Sequence, residues 1–204
     1  MIRLAFAVEA PLVARFFLLL QQGVMIQRRL GCSVDAFLRQ ELGAGPETVE
    51  MIQSVLLDGK PVDDIGAAVI RDGSTLALSA AMPGVVGATM RRGGAYASMR
   101  STITYHETGK TGAAGEGWVT IKLFNLLMAE LGPSLLQGEV LVAASALHDL
   151  LTELPEEFWR GCRRISRDGI VVDRDLLIDA GQLGGETAVL LSVCPEPEGV
   201  DRRG

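Results

Sequence analysis

The sequence predicts an α+β fold that is built twice along the chain, each half a mixed sheet covered by one main helix. The motif Asp-Gly-x-x-Val-Asp occurs at 58–63 and again 110 residues later at 168–173 (58 to 168). Further landmarks recur 112 positions apart (33 to 145): Ser33, Leu38, Glu41 and Leu42 as Ser145, Leu150, Glu153 and Leu154, and Gly73-x-Thr75 as Gly185-x-Thr187. Landmarks in one order at nearly constant spacing indicate a duplicated unit.

The first copy begins with a predicted hairpin and a helix. Bulky side chains fill 15–23 and 24–30 on either side of a break at Gly23, which favours two strands. Ser33 is predicted to cap a helix of about three turns. Its apolar stripe ends near Gly43, a residue type that commonly follows a helix.

The twin motif supplies the second hairpin of this copy. Asp58-Gly59 is a favoured pair for a tight type I′ turn, here between predicted strands at 53–57 and 60–62. Pro61 has no N–H, so the second of these strands should be short and at an edge. A last strand is predicted at 75–79.

The second copy follows the same order. Its strands are predicted at 119–123, 139–143, 164–165, 170–172 and 188–192. Ser145 is predicted to cap a helix that Pro155 stops. The first and last strands of each copy can then lie side by side in parallel, with the helix in the crossover. That is the strand order of the ubiquitin-like β-grasp, so the prediction is two tandem β-grasp domains.

These patterns divide the chain into four parts: a first copy at 1–83, a glycine-rich connecting segment at 84–117, a second copy at 118–194 and a flexible tail at 195–204. Within the connecting segment, 95–105 is predicted to add a further strand. The stretch 108–117 is predicted to be a flexible loop.

The composition excludes several classes of function. With 48% hydrophobic and 22% charged residues the chain is typical of a globular protein, and its net charge of −6 argues against nucleic-acid binding, which needs a basic footprint. Cys32, Cys162 and Cys194 are odd in number and lack C-x-x-C spacing, which predicts reduced thiols in a cytoplasmic protein. No segment reaches the roughly 20 apolar residues of a membrane helix.

The second copy resembles the small sulfur-carrier family, which includes the small subunit of molybdopterin synthase and the thiamine-pathway carrier. The resemblance covers 118–193 and rests on 119–132, the Ser145 helix, the Asp168-Gly169 hairpin and 184–191, while the first copy fits more loosely over 12–80. It implies a β-grasp whose sheet face docks on a protein partner, such as an activating-type or cofactor-biosynthesis enzyme.

The resemblance also implies a reactive tail, which this chain lacks. In that family a C-terminal Gly-Gly becomes a thiocarboxylate, whereas this sequence ends in one glycine, Gly204. An Arg-Arg-Gly-Gly run ends internally at Gly94, and cleavage there would expose a tail of the required kind. The simpler interpretation is that Gly93 and Gly94 form a turn.

Candidate binding residues are few. Arg91, Arg92 and Arg100 form a small basic patch that could contact an anionic ligand or a partner, although three arginines are also ordinary solvated surface. Gly109-Lys110-Thr111 lacks the earlier glycine of a phosphate-binding loop, because position 104 is threonine. No catalytic residue, metal site or cofactor is predicted.

The leading hypothesis is therefore a non-catalytic protein-interaction or adaptor module on a sulfur-carrier-like β-grasp fold. Two alternatives stay open: a processed carrier or ubiquitin-like modifier with a tail ending at Gly94, and a small-ligand-binding protein. The expected partner is a protein rather than nucleic acid or membrane, and a homodimer is a further option.

Overall fold

The computed structural model describes residues 1–100, 102–106, 115–178 and 187–196, and it is a mixed α+β protein, as predicted. The strands are β1 (Ile2–Glu9), β2 (Val24–Leu30), β3 (Ser54–Leu57), β4 (Lys60–Pro61), β5 (Thr75–Ser79), β6 (Gly115–Phe124), β7 (Val140–Ala143), β8 (Cys162–Arg167), β9 (Ile170–Val171) and β10 (Ala188–Glu196). The helices are α1 (Phe17–Gln22), α2 (Val34–Gln40), α3 (Pro46–Met51), α4 (Gly84–Met90), α5 (Leu127–Gln137), α6 (Ala144–Glu153), α7 (Glu156–Gly161) and α8 (Asp175–Ile178), with 3₁₀ turns at Ala10–Phe16 and Ala97–Arg100.

The duplicated order of elements is visible in the backbone. From β1 to β5 the chain runs strand, helix, strand, helix, helix, strand, strand, strand. From β6 to β10 the same sequence of elements returns, with the short α8 added before the last strand. The α3 and α7 helices, which begin at Pro46 and Glu156, lie 110 residues apart (46 to 156), the spacing of the twin motif.

The backbone also divides into two compact units that differ from the predicted ranges. Unit 1 comprises Met1–Leu19 and Gly132–Gly204, and unit 2 comprises Leu20–Leu131. The first strand of the first copy, β1, therefore belongs to unit 1, and the first strand of the second copy, β6, belongs to unit 2. The two copies have exchanged their first strands.

Unit 2 contains a mixed sheet with the strand order β4-β3-β5-β6-β2. The neighbours β5 and β6 run parallel, with Thr75 opposite Thr120, and the other pairs are antiparallel. Its core is formed by alternate strand residues and helix side chains: Val24, Ile26, Phe37, Leu38, Leu76, Leu78, Ile121 and Leu123. The central parallel pair thus joins a strand from each copy.

The strands of unit 1 are also mixed and have the order β7-β10-β1-β8-β9. Here β1 and β10 are the parallel neighbours, with Ile2 opposite Val189. The ring of Phe16 lies 5.3 Å from that of Phe6 and 5.8 Å from that of Phe158, centroid to centroid. These aromatic contacts pack the first helical stretch and α7 into the core of the unit.

Two predicted strands are wrong. The stretch 15–23 is helical, because Phe16, Leu19 and Leu20 are buried at the three- and four-residue spacing of a helix face. Bulky side chains occur both in strands and in buried helices, so the composition of 15–23 did not distinguish between the two. The stretch 95–105 contains the 3₁₀ turn Ala97–Arg100 instead of a strand, since Arg100 turns inward to a buried ion pair.

The predicted helix caps and loops have mixed outcomes. Ser33 does cap α2, its Oγ accepting the Ala36 N–H at 3.2 Å. Ser145 does not cap α6, which begins one residue earlier at Ala144. Of the predicted loop at 108–117, the last three residues belong to β6 and the others lie outside the described residues, as does the tail beyond Glu196.

The exchange of first strands predicts which fragments fold. Residues 20–131 contain every strand of unit 2, whereas residues 1–114 contain the whole first copy but lack β6. Without β6, both β2 and β5 lose a paired neighbour and the apolar side chains of Ile121 and Leu123. We expect cooperative urea unfolding and dispersed amide proton shifts from 20–131 only. Equal cooperativity of the two fragments would contradict the exchange.

Candidate functional site

The twin motif forms the same turn in both units. Asp58 and Gly59 have φ values of 51° and 77°, and Asp168 and Gly169 have 51° and 84°. Positive φ at both central residues is the signature of the predicted type I′ hairpin turn. The residue after each short strand donates its N–H to a carbonyl of the partner strand. Val62 donates to Val55 at 2.8 Å, and Val172 donates to Ile165 at 3.0 Å. The two hairpins therefore share one register.

The first aspartate of each motif ties the turn to a neighbouring strand. Asp58 donates its N–H to the Thr75 carbonyl at 2.9 Å, and its Oδ1 accepts the Thr75 N–H at 2.7 Å. Asp168 makes the same two bonds with Arg3, at 2.8 and 2.9 Å. These aspartates are structural, and the bonds place β1 of unit 1 where unit 2 has β5.

The second aspartate of the motif behaves differently in the two units. In unit 2, Asp63 accepts two hydrogen bonds from the Arg100 guanidinium, at 2.7 and 3.1 Å. It also accepts the N–H of Gly93 at 3.1 Å. A bidentate arginine pair combines charge with fixed geometry, so Asp63 anchors a part of the chain 30 to 37 residues away.

The hydrogen-bond donors of Arg100 are all used within the protein, so its guanidinium is not available to a ligand. Its side chain is 4% exposed, and beyond Asp63 it donates to the carbonyls of Thr89 and Arg91 and to Thr104 Oγ1. All five guanidinium N–H groups have acceptors, which is the full capacity of arginine. Because Arg100 is buried, the expectation that it contacts an external anion is corrected.

The remaining predicted residues lie close to the anchor. Arg91 is exposed and Arg92 is half-buried, with the Arg92 N–H donating to the Gln53 carbonyl at 2.7 Å. Gly93 has a φ of 60°, and the Gly94 N–H donates to the Arg91 carbonyl at 3.2 Å. The two glycines form a turn whose N–H group is bound by Asp63; cleavage after Gly94 stays a prediction.

The environment of Asp63 favours its charged form. Burial opposes ionisation, but the hydrogen bonds from Arg100 and from the Gly93 N–H, together with the charge of Arg100, outweigh it and hold the pKa of Asp63 below its usual value. Asp63 is therefore an anion matched to a buried cation, and the pair depends on both members.

The anchored segment covers the edge of the unit 2 sheet. We define the cover segment as residues 84–106. Its Tyr105 N–H donates to the Pro61 carbonyl at 2.8 Å, and both Pro61 and Val62 are buried. Because proline has no N–H, the outward side of β4 offers a partner no donor at this position. This edge is closed both chemically and sterically.

No segment in the described part of the chain covers the corresponding edge of unit 1, which we call the open edge. Ile170 and Val171, which replace Lys60 and Pro61, are 71% and 67% exposed. In the register that the two hairpins share, the N–H and carbonyl of Val171 face away from β8. Asp173, the counterpart of Asp63, is exposed and has no hydrogen-bond partner within the described part of the chain. Sequence analysis missed this difference, although the change from Pro61 to Val171 inside the repeated motif is its signal.

A shallow depression adjoins Val171 on unit 1. It measures about 170 Å³ and is lined in part by the small residues Ala5, Ala7, Ser166 and Gly169. Ligand pockets for small molecules are typically about 300–1,000 Å³. The depression is therefore smaller than a typical small-molecule pocket, and the side chain of Arg164 also lines it.

The reactive groups form no cluster in the described ranges. No group of three or more His, Cys, Asp or Glu residues placed to hold a metal ion occurs there, and no helix among those residues is long and apolar enough to cross a membrane. Cys32 and Cys162 are partly buried, and burial raises the pKa of the Cys162 thiol to about 11. Burial therefore favours the protonated thiol of Cys162 at neutral pH. The Gly109-Lys110-Thr111 stretch lies outside the described residues.

Comparison with known protein families, with curated proteins and with solved structures finds no match for this chain.

The anchor predicts unequal roles for the two equivalent aspartates. Asp63→Asn leaves the buried Arg100 charge without its anion, and we expect a loss of roughly 2–4 kcal/mol in the free energy of unfolding. Asp173→Asn, the matched control at the same motif position, removes an exposed and unpartnered carboxylate and should cost less than about 0.5 kcal/mol. Urea unfolding measures both. Similar losses in the two variants would refute the anchor.

The pH dependence of stability provides a separate check on Asp63. Its pKa in the folded protein lies below the usual 3.8, so the ion pair's stabilisation is complete well above that pH and is lost as the pH falls through the folded value. We expect the difference in unfolding free energy between the wild type and Asp63→Asn to be constant from pH 7 to 5 and to shrink below about pH 4. A difference that grew on acidification would contradict the assignment.

Proposed function

We propose that the protein is a non-catalytic protein-interaction or adaptor module, built on two β-grasp-like sheets of the sulfur-carrier type. The observation that carries this proposal is the open edge strand β9 of unit 1, with Ile170 and Val171 exposed. Exposed apolar side chains on an edge strand are a common place for another chain to pair.

The β-grasp part of the proposal is supported by strand order. In each unit two parallel strands lie in the centre, and each is flanked by an antiparallel neighbour. The motif hairpin ends one side of each sheet, as β3-β4 in unit 2 and β8-β9 in unit 1. The exchange of first strands leaves this arrangement intact, because the exchanged strands supply one member of each parallel pair.

The interaction part is supported by the contrast between the two edges. Natural sheets block exposed edges with proline, charge or a covering segment. Unit 2 uses proline and a covering segment, Pro61 and the cover segment. Among the described residues, unit 1 has neither at Ile170 and Val171, which supports an edge that is accessible to a partner.

The partner class comes from the resemblance and is part of the proposal. Carriers of the β-grasp type dock on activating-type or cofactor-biosynthesis enzymes, and a partner of that class is proposed for this chain. Binding through an edge strand needs no catalytic residue, which agrees with the protonated Cys162 thiol and the structural role of Asp58 and Asp168.

Closing the open edge should remove partner binding. Val171→Pro copies Pro61 at the equivalent position, and because the Val171 N–H faces outward the substitution removes no bond within the hairpin. Affinity capture of the tagged protein from its native cells, with quantitative mass spectrometry, should recover a partner with the wild type and lose it with Val171→Pro. Leu126→Ala, at another exposed apolar residue, is the control and should retain the partner. An unchanged partner set with Val171→Pro would overturn the proposal.

A further inference from the structure

The two units show one edge with a bound segment and one without. The covered edge is bound by a piece of this same chain, so the chemistry of that piece indicates what the open edge accepts. Residues 73–106 contain no Asp or Glu but contain Arg91, Arg92 and Arg100. The cover segment is thus apolar and basic within a protein of net charge −6.

We infer that β9 and Asp173 of unit 1 form a docking site for an apolar protein segment that carries an arginine, bound as the cover segment is bound in unit 2. This inference rests on the proposed function and deepens it, because it names the chemistry of the partner. Its anchor is a guanidinium on Asp173, and its backbone contact is a hydrogen bond to the outward side of Val171.

The arginine contact is argued from the equivalence of Asp63 and Asp173. Both aspartates end the same six-residue motif, after turns with matching φ values and the same return hydrogen bond from Val62 or Val172. Asp63 holds a guanidinium at 2.7 and 3.1 Å, whereas Asp173 is exposed and has no partner in the described ranges. A bidentate acceptor in the same place selects arginine over lysine, since only the planar guanidinium matches both oxygens.

The backbone contact is argued from Val171. In unit 2 the outward carbonyl of Pro61 accepts the Tyr105 N–H at 2.8 Å. The Val171 carbonyl occupies the equivalent place, and Val171 adds an outward N–H that Pro61 lacks. An incoming segment can therefore make two backbone bonds here, where the cover segment makes one. Its apolar side chains would cover Ile170 and reach the depression beside Val171.

The charges near β9 are mixed, so the arginine contact rests on Asp173 itself. Arg174 lies 3.6 Å from Asp175 and 2.9 Å from Glu156, so both of those carboxylates already have a cation. Asp173, in contrast, is exposed and has no partner in the described ranges. The attraction of an incoming arginine to Asp173 would weaken with added salt.

The cover segment itself is the probe for the test. A labelled synthetic peptide with the sequence of residues 84–106 would be titrated with the full-length protein, and binding measured by fluorescence anisotropy. Unit 2 keeps its own tethered copy of this segment, whose high effective concentration disfavours exchange. The amide signals of Ile170 and Val171, followed by NMR, report binding at unit 1, and that of Val62 reports exchange at unit 2.

Three comparisons isolate the proposed contacts. Asp173→Asn in the protein and Arg100→Ala in the peptide should each weaken binding by about tenfold or more, because each removes one side of a charge-assisted pair. Val171→Pro should weaken it through loss of an edge donor. Asp149→Asn, which removes one exposed charge on α6 of the same unit, should leave the affinity unchanged.

The outcomes separate this inference from the proposed function. No binding of the peptide, or equal binding by the wild type and Asp173→Asn, overturns the arginine site. The adaptor function would still stand if Val171→Pro abolishes capture of the native partner. Loss of affinity with Asp173→Asn and Arg100→Ala, combined with shifts at Val171 and none at Val62, supports the site.

Discussion

The parallel pairing of strands from different copies is the constraint on which the rest of the structure depends. In unit 2 the β5–β6 pair joins residues 75–79 to 120–124, and in unit 1 the β1–β10 pair joins 2–9 to 189–196. Without the strand from the other copy, neither unit would have its central parallel pair. Such long-range pairing costs loop-closure entropy before it gains any contact. The apolar side chains on the buried face of these central strands supply the compensating burial.

The exchange is not symmetrical, and this refines the meaning of the repeat. In sequence, β10 is the counterpart of β5, since each is the last strand of its copy. In the structure, however, β10 occupies the place that β6 has in unit 2: β10 pairs with β7, and β6 pairs with β2. The place of β5 is taken by β1, whose Arg3 makes the bonds with Asp168 that Thr75 makes with Asp58. Because β1 and β10 run in the same direction, they can exchange places without changing any parallel or antiparallel relation. The two units therefore share the same pattern of parallel and antiparallel pairs, although equivalent places are not always filled by equivalent strands of the repeat.

The two units differ in that, within the described residues, only unit 2 has a cover segment at its hairpin edge. A buried arginine contributes little net stability when both partners must lose water, yet it specifies one arrangement. Arg100 performs that role for the cover segment, which reaches Asp63 and Pro61 from residues 93–105. The second copy has the same aspartate without such a segment in the described part of the chain. One of the two equivalent edges is therefore bound by a segment of this chain, and within the described residues the other has no such segment.

Residue patterns alone predict the repeated order of elements, the α+β class, the two Asp-Gly turns, the Ser33 cap and most of the strands. These features depend on local backbone preference, which the sequence displays directly. Three features depend on the tertiary structure instead. They are the order of the strands, the helical conformation of 15–23 and the contact of Arg100 with Asp63. Local preference is nearly neutral between those alternatives. Burial of shared apolar faces, available only once the chain is closed, selects among them.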